Sequence, residues 1–262
     1  MQHARWCLAG LFLLLLSVPA CSSDSDDDDK FSESHQLSEL NASYGAFADE
    51  GRLRVYAALL GRKGFVRLRG GDTIEIDIGG QRTPSTERLL GDKVHYIADV
   101  PAPPGETEVT ITFVRGLERV VGKIRIYSAF TLTKAPSTLK IGESAEIDID
   151  PRPDLSKWPG FFGPGLIAKA ELIGSCLETG SQQIELCAVD GEPGKCTQGY
   201  PLKLDPGKLI FTPGSKGCEV AVQVRLNSGG SPFEATGPAK QSFKGGGFEG
   251  HRLRSFELQL TQ

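Results

Sequence analysis

Thr73-Ile74-Glu75-Ile76-Asp77-Ile78 alternates polar and apolar residues at every step and is closed by Gly79-Gly80. Side chains of an extended chain point to opposite faces in turn. This run therefore offers Ile74, Ile76 and Ile78 to a core and Glu75 and Asp77 to water. The same pattern recurs on both sides. Leu53, Val55, Ala57 and Leu59 share one parity upstream, followed by Val66 and Leu68. Downstream come Val94, Tyr96, Ala98 and Val100, then Val109, Ile111 and Phe113, then Ile124 and Ile126. Gly70-Gly71-Asp72, Gly91-Asp92 and Pro101-Ala102-Pro103-Pro104-Gly105 separate them. Glycine and proline of this kind stop strands and make turns. No segment holds the 3.6-residue period of an amphipathic helix. About seven strands in about 90 residues predict an immunoglobulin-like β-sandwich over residues 37–129.

A second series predicts another sandwich over 130–262. Leu139 and Ile141 precede Ala145, Ile147 and Ile149, which alternate with Glu146, Asp148 and Asp150. Leu166 to Ile173, Ile184 and Leu186, Leu202 and Leu204, and Leu209 to Phe211 follow. Val220, Val222 and Val224 alternate next, and Phe256, Leu258 and Leu260 close the chain. The phrase Leu139-Lys140-Ile141-Gly142-Glu143-Ser144 before an alternating strand resembles the opening of bacterial immunoglobulin-like domains. The expected fold class is all-β, two tandem immunoglobulin-like sandwiches.

The N-terminal region is of another kind. Arg5 begins a weakly basic start, Leu8 to Leu16 is an apolar run, and Ser17-Val18-Pro19-Ala20-Cys21 follows. A basic start, a short apolar run and a small residue before a cleavage point describe a secretory signal peptide, here 1–20. A membrane span needs about 17 to 25 apolar residues, roughly twice this run. Val18, Ala20 and Cys21 match the lipobox, so the segment resembles a bacterial lipoprotein signal. Pro19 stands where that family has a small residue. The resemblance implies a thioether-linked diacylglycerol and an amide-linked acyl chain at Cys21, hence a membrane partner. Ser22 after the cysteine implies the outer membrane.

Residues 22–30, Ser-Ser-Asp-Ser-Asp-Asp-Asp-Asp-Lys, hold no apolar side chain. Such a segment cannot form a core, and like charges extend it. An acidic disordered tether is expected over 21–36. Residues 1–30 hold five Asp against Arg5 and Lys30, so −3 of the net charge of −4 sits there and residues 31–262 carry −1. A body so close to neutral gives no electrostatic case for nucleic acid.

Cys7 leaves with the signal. Cys176, Cys187, Cys196 and Cys218 all fall in the second half. An even number in an exported chain predicts disulfides, with three possible pairings. The turn-rich Gly191-Glu192-Pro193-Gly194 favours 187–196 together with 176–218. Spacings of 11, 9 and 22 do not suit a zinc site. Glu146, Asp148 and Asp150, with Asp154 nearby, carry oxygens that calcium could use, but a polar strand face accounts for them. No metal and no cofactor is expected.

Enzyme signatures are thin. Gly245, Gly247 and Gly250 satisfy G-x-G-x-x-G, yet Arg252 to Leu260 alternates as a strand where a dinucleotide site needs a helix. His35, near the tether, and His95, on an alternating strand, read as solvated. Two loops are candidates for function, 151–165 and 227–250. In an immunoglobulin-type topology they emerge at one end of the second sandwich. They bring together Trp158, Phe161, Phe162, Phe233, Phe243 and Phe248, either as a binding surface or as a plug against the sandwich or the first domain. The expectation is a lipid-anchored envelope protein with a structural or protein-interaction role, no catalysis, and an envelope or surface protein as partner. The alternative is a module that binds glycan or peptide, or an accessory subunit of a secretion apparatus, through the aromatic loops.

Overall fold

The computed structural model describes residues 30–49, 51–153, 168–188, 200–228, 230, 231 and 233–261. They form strands and short 3-10 turns, an all-β fold of open sandwich sheets. The period-two runs explain this. In β4 (Thr73–Ile78), Ile74, Ile76 and Ile78 are buried and the residues between them are not.

One ten-stranded sheet forms the spine of the molecule. Its main path runs through β14 (Ser181–Glu185), β13 (Ala168–Ile173), β17 (Gly217–Ser228), β19 (Gly245–Thr261), β1 (Asn41–Ala48), β2 (Arg52–Gly61), β7 (Lys93–Pro101) and β6 (Thr86–Leu90). Off this path β3 (Gly64–Val66) pairs with β2, and β11 (Thr138–Lys140) pairs with β19. Two smaller sheets close the sandwiches. One contains β18 (Glu234–Thr236), β9 (Glu118–Ile126), β8 (Thr107–Arg115), β4 and β5 (Gln81–Thr83). The other contains β10 (Thr131–Lys134), β12 (Ala145–Asp150), β16 (Leu202–Leu204) and β15 (Cys187–Ala188).

Two hydrophobic cores result. The first takes Leu37 to Ile126 and then Phe243; the second takes Tyr127 to Leu260. β19 joins them. Its 17 residues span about 55 Å at the usual strand rise. The first part lies parallel to β1, from Asn41↔Gly245 to Ala48↔Arg252. The rest lies antiparallel to β17, from Ser228↔Gly250 to Gly217↔Thr261.

This arrangement changes the assignment of one late segment. The sequence assigns 227–250 to a loop of the second sandwich, 130–262. Instead residues 233–252 return to the first half, where β18 pairs with β9 and the start of β19 pairs with β1. The glycines of this stretch permit the approach. A Cβ on Gly246 would lie 2.1 Å from the Ala42 carbonyl oxygen, and one on Gly250 would lie 2.6 Å from Ile124 Cγ2. Only glycine tolerates such contacts.

The expected tether, 21–36, is also too long. Phe31 bridges to Arg67, and Ser32 and His35 are buried. Arg115 holds this segment down. Its Nη2 donates to the Ser32 carbonyl at 2.6 Å and its Nη1 to the His35 carbonyl at 2.7 Å. Its Nε donates to Asp72 Oδ1 at 2.9 Å, so the buried carboxylate is paired. The charge pattern of the aspartate run says nothing of these contacts, which depend on an arginine 83 residues away from Ser32.

Candidate functional site

The strand registers define two tips. At the first, β1 begins, β2 ends at Gly61 and the β6–β7 turn pairs Leu90 with Lys93. The β8–β9 turn pairs Arg115 with Glu118 at the same tip, because Arg115 reaches Ser32 and His35. Chain entering at Lys30 is fixed here too, since Arg67 N donates to the Lys30 carbonyl at 2.8 Å. The opposite tip lies in the second half, where β19 ends and Cys218 on β17 pairs with Leu260.

Cys218 is bonded to Cys176 with a Cα–Cα distance of 5.6 Å. This is one of the two bridges that the turn-rich stretch Gly191–Gly194 favoured. Cys196, and the side chain of Cys187, lie outside the described residues, as does Cys21.

Three of the six aromatic residues are described, and all three lie in the first half. Phe243 is buried in the first core, and Phe233 and Phe248 pack against it. All three rings surround Tyr44, with centroids at 5.3 Å (Phe233), 6.5 Å (Phe243) and 5.9 Å (Phe248), each edge to face. Gly122 on β9 makes the room: a Cβ there would sit 2.5 Å from Phe248 and 2.9 Å from Tyr44. Phe243 is a core side chain of the first half, and the half-buried Phe233 and Phe248 pack against that core. A ring as buried as Phe243 contributes on the order of 2 to 3 kcal/mol when removed from water, and the half-buried Phe233 and Phe248 contribute less. Burial also pushes the Tyr44 phenol far above its ordinary range. Trp158, Phe161 and Phe162 lie outside the described residues.

Sequence reasoning missed an aromatic row on the outer face of the spine. Phe65 (β3), His95 (β7), Tyr56 (β2), Phe47 (β1) and His251 (β19) touch in series, with centroid separations between 4.5 and 5.8 Å. Tyr56 lies over Gly45, its direct cross-strand partner, where a Cβ would be 2.1 Å from the ring. All five are half-buried, so His95 is not the solvated side chain expected. Burial, with the Arg225 charge nearby, pushes His251 down to about 4. Arg225 pairs in turn with Glu171 across β17 and β13. The outward parity of Phe47, Tyr56 and His95 is the signal for this row, and it is hidden because the alanine-rich β1 carries no strong apolar alternation.

A cleft of about 520 Å³ lies on the four-stranded sheet between Lys134, Ala135, Pro136, Ser144, Ala145, Glu146 and Lys203. Lys134 pairs with Glu146 within it. Arg152 pairs with Asp148 at 2.6 Å, and that hydrogen bond holds the Asp148 carboxyl below the usual carboxylate range. Among the described residues no three His, Cys, Asp or Glu side chains are grouped to hold a metal. Asp154 lies outside them. No helix among the described residues is long and apolar enough to cross a membrane.

No family model matches the chain, and no curated protein matches it. Among solved structures the adhesin InvE of Yersinia pseudotuberculosis is similar at 10% identity and a TM-score of 0.20. The match covers 84% of this chain and 58% of that one, so this chain spans less than two thirds of that protein's length. At that TM-score the likeness bears on neither mechanism nor partner.

Proposed function

We propose that this chain is a lipid-anchored cell-envelope protein with a structural or protein-interaction role and no catalysis of its own. The observation that supports this is where the chain enters the fold. Lys30 is held at the tip of the first half that lies farthest from the second. Nine residues before it stands Cys21, preceded by Val18-Pro19-Ala20. A lipid there holds the first half near the membrane and presents the second half outward. The shared spine transmits that orientation, because β19 runs unbroken through both halves. The partner is a protein of the envelope or cell surface, and the membrane is the outer one.

The test is detergent-phase partitioning of the full chain expressed in a bacterial host, beside Cys21→Ala. The wild type enters the detergent phase and the variant stays in the aqueous phase. Equal partitioning of both into the aqueous phase refutes the anchor.

A further inference from the structure

Five large hydrophobic side chains are exposed among the described residues, and three of them stand at the tip where the chain enters. Leu89 is 58% exposed, Leu90 56% and Leu117 79%. Leu89 and Leu90 close β6, the last strand on the main path of the spine, all five of whose residues are exposed. Leu117 stands in the β8–β9 turn of the facing sheet. The entering segment lies between them. On one side Lys30 bonds Arg67, which pairs with Glu87 of β6. On the other, Ser32 and His35 bond Arg115, two residues before Leu117.

An exposed leucine alone needs no explanation. Two at the end of the edge strand β6 and one on a turn of the facing sheet, on either side of one chain segment, form the end surface of this half. What lies opposite that end is bounded by the chain itself. Nine residue steps separate Lys30 from Cys21 and reach at most about 30 Å. We infer that this tip is a membrane-contacting surface: Leu89, Leu90 and Leu117 dip into the lipid interface around the anchor and set the rod upright. The inference rests on the lipid anchor proposed above.

The chemistry favours a shallow apolar contact. Five aspartates between Cys21 and Lys30 disfavour close approach of the link to anionic headgroups. Arg62 and Lys93 rim the tip, although Arg62 is shared with Glu39 at 3.7 Å. Side chains of this kind seat about 5 to 10 Å into the headgroup and acyl boundary, so the contact orients a body that the lipid on Cys21 already holds at the surface.

The experiment uses the full lipidated chain carrying Trp158→Phe, reconstituted in phosphatidylcholine vesicles with brominated acyl chains. Leu90→Trp, and separately Leu117→Trp on the other sheet, report from the first tip. Ile210→Trp, 60% exposed in the second half, is the reference. Seated at interface depth, the first two lose about half their emission to bromine and shift to the blue, while Ile210→Trp loses none. Equal, weak quenching at all three positions overturns the membrane contact and leaves the anchor standing. Mass analysis of the N-terminal peptide is scored apart: an unmodified Cys21 overturns the anchor, and this contact with it.

Discussion

Arg252 and Tyr127 meet at the waist of the molecule. The Arg252 Nε donates to the Tyr127 carbonyl at 2.8 Å, and Nη2 donates to the Pro103 carbonyl at the same distance. The side chain is 2% exposed, and burial lowers its basicity below the ordinary arginine value. Arg254, two residues on, donates to the Phe130 carbonyl at 2.7 Å. Two arginines of β19 thus fasten the segment that crosses from the first core to the second. Arg252→Ala removes both bonds and leaves buried carbonyls without donors, for a loss of about 3 to 5 kcal/mol. Chemical denaturation of the two proteins measures it. A loss under about 1 kcal/mol would show that water replaces the guanidinium at little cost.

Cys176 and Cys218 lie 42 residues apart in sequence. Closing a loop of that length restricts the unfolded chain by about 4 kcal/mol in the chain-entropy treatment. Cys176→Ser with Cys218→Ser should therefore lower the melting temperature clearly. Because β19 belongs to both cores, the whole molecule should melt in one transition, at a lower temperature. Calorimetry decides this, since two separated transitions would mean that the halves unfold independently.

Phe243 is 7% exposed and touches Tyr44, Phe113 and Phe233. Phe243→Ala should cost about 3 to 5 kcal/mol as a large-to-small core change. Its effect should fall on the first core although its position in sequence is late. Hydrogen exchange reads the location: protection should drop in β1, β8 and β9. A drop confined to β13 and β14 would contradict this packing.

Alternation made most of the strands legible. Ile74 to Ile78, Val109 to Phe113, Ile147 and Ile149, and Val220 to Val224 are each polar-apolar repeats with one wet face, and each is a strand. β1 was not legible. Asn41-Ala-Ser-Tyr-Gly-Ala-Phe-Ala48 buries Ala42, Tyr44, Ala46 and Ala48 with a period of two, but alanine is too weakly apolar to mark that parity in the sequence. The return of 233–252 was hidden for a related reason. Gly245-Gly246-Gly247 reads as a loop because glycine stands wherever a turn is needed, and equally wherever two backbones approach closely. Only the Ala42 carbonyl opposite Gly246 decides between them, and that contact spans about two hundred residues of chain. Of the two alternatives for the aromatic loops, packing on the first half holds for Phe233, Phe243 and Phe248, and the sequence could not choose it because a phenylalanine at a binding surface and one in a distant core are the same letter.

His251 predicts how stability responds to acid. Its ring lies tilted against Phe47 with centroids 4.5 Å apart, faces Asn227 across the ladder and stands near Arg225. Burial, then the Arg225 charge, pushes it from 6.5 down to about 4. In the unfolded chain it protonates near its ordinary value. Between those two pH values the unfolded state binds the proton and the native state does not. Stability from this group is thus fully present above about 6.5 and is lost progressively as pH falls to about 4. The depression is equivalent to about 3 kcal/mol at most, reduced by the partial exposure of the ring. His251→Gln removes the titrating group and keeps a similar size. Denaturation midpoints collected between pH 4 and 7 should slope downward with acid in the wild type and run flatter in the variant. Parallel slopes in the two proteins would place the acid sensitivity elsewhere, and His251 would then titrate as an ordinary surface histidine.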